Sequence, residues 1–189
     1  MLILRVNIPC SYSLDARVNP IVINILTIRR PPSGGTGWGH LKIKTMTIRQ
    51  VSVFIDDKAG SLVKVLDVLK EGGHQILTST LADSPEFAIY RVLCTDAERA
   101  FKSLKAAGFN VLLPDVLALA VDDEPGSAAS AIRILSDAGI SIRYMYSFRL
   151  ANKGILVIRT DQTERAKEVI ILNKLQAVSE SELSAMIKA

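Results

Sequence analysis

Apolar and polar side chains follow regular periods from about residue 46 to the end of the chain. Between residues 48 and 56 the apolar side chains occupy every second position, which is the period of a strand with one buried face. After Gly60 they recur at intervals of three and four residues, as in an amphipathic helix, and a glycine pair at 72 and 73 ends that helix. The first half then continues with predicted strands near 74–82 and 86–94, a helix from the N-cap Asp96 to Gly108, and a strand at 109–113.

The same plan occurs a second time. Residues 51–76 align with residues 117–142 without a gap, and the corner DDKAGS, which begins at Asp56, recurs at Asp122 as DDEPGS. Duplication of a small domain explains this long period better than a solenoid repeat does. The second copy is predicted to contain a strand at 117–121, a helix from Gly126 to Gly139, strands at 140–150 and 153–160, a helix from about 162, a weak strand at 175–178, and a terminal helix with a capping box of Ser179 and Glu182.

Two such strand-helix-strand-strand-helix-strand units predict an α+β protein with two ferredoxin-like βαββαβ domains, each an antiparallel sheet with both helices on one face. We assign the first domain to 46–113 and the second, with its short C-terminal helix, to 114–189. We expect the two sheets to pack edge to edge as one longer sheet, because each half has a thin core and open edge strands. Residues 1–45 are interrupted by prolines and are predicted to be disordered or a non-native extension.

The charge distribution bears on possible partners. Residues 1–45 contain six basic residues and one acidic residue, whereas the other 144 contain 17 basic and 18 acidic residues. The patterned body therefore lacks the positive field that nucleic acid requires, and we expect no nucleic-acid partner. No apolar stretch is long enough to span a membrane, no secretory signal is evident, and the two cysteines, Cys10 and Cys94, lack metal or redox spacing. We therefore expect a cytoplasmic protein.

The repeated corner is the candidate binding feature. Gly60 and Gly126 precede a predicted helix, where free backbone N–H groups and the helix dipole favour an anion. Asp57 and Asp123 lie just upstream, within reach of an ammonium group. Amides that accept a carboxylate beside an acid that accepts an amine suit a free amino acid. A capped turn without any ligand is the other reading of the same residues, and duplication would copy a turn equally well.

The residues around the second corner, DDEPGSAASAIRILSDAGISI, resemble the ACT domain, and the duplicated body resembles small stand-alone bacterial proteins made of two ACT domains. The resemblance covers about residues 46–183. It implies amino-acid binding, often at an interface where the corner of one domain faces the second strand of a neighbour. The site residues that it implies are Asp57, Ala59, Gly60, Ser61, Leu62, Gln75 and Ile76 in the first half, and Asp123, Pro125, Gly126, Ser127, Ala128, Ser141 and Ile142 in the second.

The first half departs from the family pattern, with Ala59 where proline is usual and His74-Gln75 where Ile-Asn is usual. The second half has Ser141 in place of Asn. We therefore expect one of the two sites to be altered or lost. His74 is interpreted as a strand residue near the ligand site or as an exposed residue. Tyr144, with its neighbours Met145 and Tyr146, is interpreted as packing or interface, or alternatively as ligand contact.

The remaining chemistry favours a regulatory protein over an enzyme. Adjacent aspartates on a strand point to opposite faces and would not clamp one metal ion, and no nucleophile–base set has sequence support. We expect no metal, no cofactor and no catalytic residue. The sequence predicts an amino-acid-binding sensor that forms a homodimer and reports to a partner enzyme or through its own assembly. A small enzyme or regulatory subunit on the same fold, and a structural adaptor without a ligand, remain the alternatives.

Overall fold

The computed structural model describes residues 46–84 and 87–188, which belong to one compact unit. The extension predicted for residues 1–45 lies outside the described residues. The strands are β1 (Thr47–Arg49), β2 (Val51–Ile55), β3 (Ile76–Asp83), β4 (Ala88–Cys94), β5 (Asn110–Leu112), β6 (Asp115–Asp122), β7 (Tyr144–Leu150), β8 (Lys153–Arg159) and β9 (Gln176–Ala177). The helices are α1 (Ser61–Glu71), α2 (Ala97–Ala106), α3 (Ser127–Asp137), α4 (Thr163–Leu172) and α5 (Glu180–Lys188).

The two predicted ferredoxin-like units are confirmed. The first is a four-stranded antiparallel sheet in the order β3-β4-β2-β5, and α1 and α2 share a buried core with its alternate side chains. The second has the order β1-β6-β8-β7 with β9 also on β6, and α3 and α4 cover one face. The predicted caps are also present. Asp96 accepts the N–H of Arg99 at 3.0 Å, and the Ser179 N–H donates to the Glu182 carboxylate at 2.9 Å.

The strand predicted over 48–56 is two strands, because the chain leaves one sheet and enters the other at Gln50. β1 pairs antiparallel with β6 in the second sheet, from Thr47 opposite Leu117, whereas β2 lies in the first sheet. The N–H of Gln50 donates to the carbonyl of Pro114 at 3.1 Å at this crossing. The predicted boundary between residues 113 and 114 stays a prediction.

The expectation of one longer sheet joined edge to edge is wrong for the described strands, which form two separate sheets. The contact between the sheets involves the faces that α1 to α4 leave uncovered. Leu93 of the first sheet packs in one buried cluster with Ile155 and Val157 of the second, and Leu183 of α5 completes it. The physical reason is that the apolar side chains in this cluster would have stayed in water if the sheets had paired only through their edges.

A buried polar cluster ties the two units together at the crossing point. The Gln50 amide nitrogen donates to the hydroxyls of Tyr144 at 2.8 Å and Ser52 at 3.0 Å, and the Tyr146 hydroxyl donates to the Gln50 oxygen at 2.8 Å. The guanidinium of Arg91 lies 4.2 Å from the ring centre of Tyr144. Burial raises the pKa of Tyr146, so its hydroxyl remains a donor at neutral pH. The interface interpretation of these two tyrosines is thus the one that the contacts support.

His74 is neither exposed nor part of a strand. The residue precedes β3 and is 9% exposed, and its Nε2 lies 3.0 Å from the Ser103 hydroxyl of α2. The side chain also fills the space beside Gly72, where an added Cβ would come within 2.4 Å of the ring. Burial, and then the charge of Arg99, lower its pKa below the usual 6.5. His74 therefore packs between the ends of the helices.

This packing makes stability depend on pH. The unfolded chain binds a proton at His74 at a higher pH than the folded chain does. The contribution of neutral His74 to the free energy of unfolding is therefore complete above about pH 6.5 and is lost as the pH falls below that value. We expect the urea midpoint to fall between pH 7 and pH 5.5, and to fall less in His74→Gln. Equal pH dependence in the two proteins would contradict the assignment, since most carboxylates titrate below this range.

Candidate functional site

Both glycine corners adopt the backbone conformation that the motif predicts. Gly60 (φ 89°) and Gly126 (φ 92°) are the N-cap residues of α1 and α3, and neither cap has a side-chain hydrogen bond. Left-handed φ values of this kind favour glycine. Ser61 and Ser127 are the first helical residues. The N–H groups of Ser61 and Ser127 donate to the carbonyls of Lys58 and Glu124, at 3.1 and 3.2 Å. The next two N–H groups of each first turn have no intrahelical acceptor and are the donors available to a ligand.

A depression of about 400 Å³ lies between the second corner and the sheet. Three of the predicted residues, Asp123, Pro125 and Ala128, contribute to its wall. The rest of the lining comes from strands that the corner motif does not include, among them Ser147 of β7 and Gly154 of β8. The wall is acidic at the corner and apolar below it. The residues that line it are Val121, Asp122, Asp123, Glu124, Pro125, Ala128, Ser147, Gly154 and Leu156.

Two ion pairs connect the second corner to the end of the sheet. The carboxylate of Asp123 pairs with the guanidinium of Arg149, and Asp122 Oδ1 lies 2.5 Å from Lys153 Nζ. The side chains of Arg149 and Asp123 are 67% and 44% exposed, so the pair is hydrated and weak. The acid that the sequence assigned to a ligand amine thus already has a cationic neighbour.

The first corner is built differently. Its depression, about 220 Å³, lies on the side of α1 that faces the turn between α2 and β5, and of the predicted residues it includes only Ser61. Asp57, Ala59, Gly60 and Leu62 belong to the corner but do not line this depression. Among the described residues none forms an ion pair with Asp57, while Asp56 lies 3.5 Å from Lys58.

The strand openings lie far from the corners of their own domains. Ser141 and Ile142 precede β7 at the end of the sheet where Tyr144 pairs with Arg159, whereas the corner is at the other end. Seven strand residues at about 3.3 Å each separate the two ends by about 20 Å. Gln75 and Ile76 likewise lie at the end of β3 that is far from the first corner. The structure therefore brings neither opening to its own corner.

Sequence reasoning missed Ser147, Arg149 and Gly154. The strand register identifies Leu81 as the counterpart of Ser147 in the first sheet, because Ser147 pairs with Leu156 in the same way that Leu81 pairs with Tyr90. The alignment of the repeat stopped at Ile142, just before these strands. Extension of the alignment into β3 and β7 would have shown a small residue in the second copy where the first has a large one.

The described residues include no group of three histidines, cysteines or acids that could hold a metal ion. Within the same residues, no helix combines the length and the apolar character needed to cross a membrane. The single described cysteine, Cys94, is buried in the first core, which raises its thiol pKa to about 11. At the second corner a depression, a cluster of carboxylates and two ion pairs therefore occur together.

Comparisons with known proteins agree with this architecture. A family model described as an ACT domain pair matches residues 46–187. The crystal structure of protein BT0572 from Bacteroides thetaiotaomicron is 32% identical, with a TM-score of 0.69 over 73% of this chain and 96% of that one. The ligand-free regulatory subunit of aspartate kinase from Thermus thermophilus shares the fold at 17% identity and TM-score 0.50, over 68% of this chain and 94% of that one. No protein of curated function matches the sequence. The chain belongs to the family of paired ACT domains.

Proposed function

We propose that this protein is a non-catalytic regulator that binds a free amino acid at the second corner. The observation that carries the proposal is the Gly126 turn, whose outward N–H groups adjoin a cavity of about 400 Å³ lined by Asp123. A carboxylate can accept the amides of Ala128 and the next residue, while Asp123 accepts the ammonium. Membership of the ACT family supports the regulatory role.

The expected affinity suits a sensor of metabolite pools. One charge at a helix terminus contributes about 0.3–1 kcal/mol when exposed and up to about 2 kcal/mol when partly buried. A few such interactions, together with burial of an apolar side chain on Leu156, amount to about 4–8 kcal/mol. This corresponds to dissociation constants from millimolar to micromolar.

β7 gives ligand binding a route to the rest of the molecule. One face of this strand carries Ser147 and Arg149 at the corner, and the other carries Tyr144 and Tyr146, which hold Gln50 at the contact between the domains. A ligand that prefers one arrangement of β7 would change the packing of the two domains through these bonds. That change would be the signal to a partner enzyme or to the protein's own assembly.

A homodimer would complete the site. β3 and β7 each form one edge of their sheets, and antiparallel pairing of β7 with such an edge strand of a second copy would bring a strand opening of that copy to the corner. Sedimentation should therefore give a mass twice that of the chain at micromolar concentration. A monomer at that concentration would contradict this arrangement.

A thermal-shift screen with the twenty amino acids tests the function. Because a ligand that binds only the folded state stabilises it, an amino acid present at 100 times its Kd should add about 2.7 kcal/mol to the free energy of unfolding. We expect a rise in melting temperature with one amino acid or a chemically related group. An unchanged melting temperature with all twenty would favour the adaptor or enzyme alternatives.

A further inference from the structure

We infer that, of the two corners, only the second binds an amino acid, and that Arg149 leaves Asp123 to hold the carboxylate of the ligand. This inference rests on the function proposed above and adds a stoichiometry, a recognition residue and a ligand class. It is carried by the differences between two corners of the same origin, which the strand register allows us to compare position by position.

The first difference is the charge beside the corner. Arg149 pairs with Gly154, which pairs with Val121 of the strand that leads into the corner. In the first sheet the residue that corresponds to Val121 is Ile55, which pairs with Ala88. Ala88 in turn pairs with Asp83, so Asp83 is the counterpart of Arg149. A guanidinium in the second domain is therefore replaced by a third carboxylate in the first, next to Asp56 and Asp57. The first corner therefore offers a ligand carboxylate an acid at this position instead of an arginine, and its cations are the lysines Lys58, beside Asp56, and Lys64.

The second difference is the space beneath the corner. The depression of the second domain is bordered by Ala128, Ser147 and Gly154, which are all small. Leu62, Leu81 and Ala88 hold the corresponding positions in the first domain. The depression that the structure shows at the first corner lies elsewhere, beside the turn between α2 and β5, and is smaller, about 220 Å³. The second corner therefore gives an amino-acid side chain more room.

The ion pair between Arg149 and Asp123 is suited to exchange. Exposed pairs of this kind contribute little to stability, so their separation costs little. A zwitterion that enters between them replaces one ion pair with two, because its carboxylate, which accepts the α3 amides with one face, takes the guanidinium with the other, and its ammonium takes Asp123. A planar guanidinium binds a carboxylate through two parallel hydrogen bonds, which fixes the orientation of the ligand.

The floor of the depression indicates the class of ligand. Val121, Leu156 and Ala128 give it an apolar surface, and Ser147 adds one hydroxyl. A negatively charged side chain would lose its hydration on this surface and would meet the carboxylates of Asp122 and Glu124. The apolar floor favours an uncharged, mainly aliphatic side chain.

Titration calorimetry of the full chain with each of the twenty amino acids tests this inference. We expect one ligand per chain, and a Kd that rises at least tenfold in Arg149→Ala. The matched control is Arg133→Ala, which removes an exposed arginine of α3 that does not line the depression. Because the side chain of Arg149 is 67% exposed, its removal should leave the fold intact, and circular dichroism verifies this.

A second pair of variants tests the cavity independently of charge. Ser147→Leu gives the second domain the residue of the first and should remove binding. Leu81→Ser, the reverse change in the first domain, should leave the Kd unchanged. Two ligands per chain, or wild-type affinity in both Arg149→Ala and Ser147→Leu, would overturn the inference while leaving the proposed function in place. Absence of binding by the unmodified chain would overturn both.

Discussion

Replacement of Gln50 by alanine should lower the free energy of unfolding by about 3–5 kcal/mol. The side chain is fully buried and makes hydrogen bonds to three hydroxyl groups, two of which belong to Tyr144 and Tyr146 of the other sheet. Its loss leaves these hydroxyls without their partner in a place that water reaches poorly, and each unsatisfied group costs about 1–3 kcal/mol. Urea denaturation of the two proteins measures the difference.

A control and a mutant cycle separate this cause from general damage. Gln75→Ala removes an exposed glutamine and should change stability by less than about 0.5 kcal/mol. In a background with Tyr144→Phe and Tyr146→Phe, the cost of Gln50→Ala should fall by about 2 kcal/mol, because the orphaned hydroxyls are absent. An unchanged cost in that background would show that Gln50 acts by packing alone.

Gly126→Val should abolish amino-acid binding and also destabilise the protein by about 1–3 kcal/mol. Valine rarely adopts the φ of 92° found here, and this strain is the source of the destabilisation. Nothing lies within 4 Å of the added Cβ, so the branched side chain extends into the space through which a ligand approaches the amides. Calorimetry gives the binding loss, and urea denaturation gives the stability loss.

Gly60→Val is the matched variant, since Gly60 has nearly the same φ, 89°, and an equally open Cβ position. It should cost the same stability but leave binding unchanged. This comparison separates strain from ligand contact, because both variants carry the strain and only one lies at the proposed site. Loss of binding in Gly60→Val with retention in Gly126→Val would place the site at the first corner.

The fold could be predicted because its signals are local. The helix periods, the glycine stops and the repeated corner each depend on residues within a few positions of one another, and α1, α2, α3 and α4 begin within two residues of their expected places. The N-cap at Asp96 and the capping box at Ser179 are local in the same sense.

The arrangement of the sheets could not be predicted, because it depends on contacts between distant residues. Gln50 is a polar residue in a strand-like segment, so the alternating pattern placed it on an exposed face. It is buried because Tyr144 and Tyr146, more than ninety positions later, supply hydroxyl partners. Similarly, β7 begins at Tyr144 and not at residue 140, since the N–H of Ser141 donates to the Gln162 side chain at 2.9 Å and not to a strand partner.

The candidate site was predicted in part. The corner motif identified Asp123, Pro125 and Ala128, which line the cavity. It gave no indication of Arg149, because an ion pair across 26 residues has no sequence period. Gly154 was missed for a related reason. Its role is to leave space in the depression, and that space depends on which side chains the fold places around Gly154.

The backbone amide resonances of Ala128 and Ala129 give the most direct test of the central claim. If the first turn of α3 holds the carboxylate of an amino acid, titration of isotope-labelled protein with the ligand from the thermal screen should shift both resonances along one saturable curve. The amides of Leu62 and Val63, at the equivalent turn of α1, should stay where they are. A ligand that stabilises the protein without moving the α3 amides, or that moves only those of α1, would contradict the account.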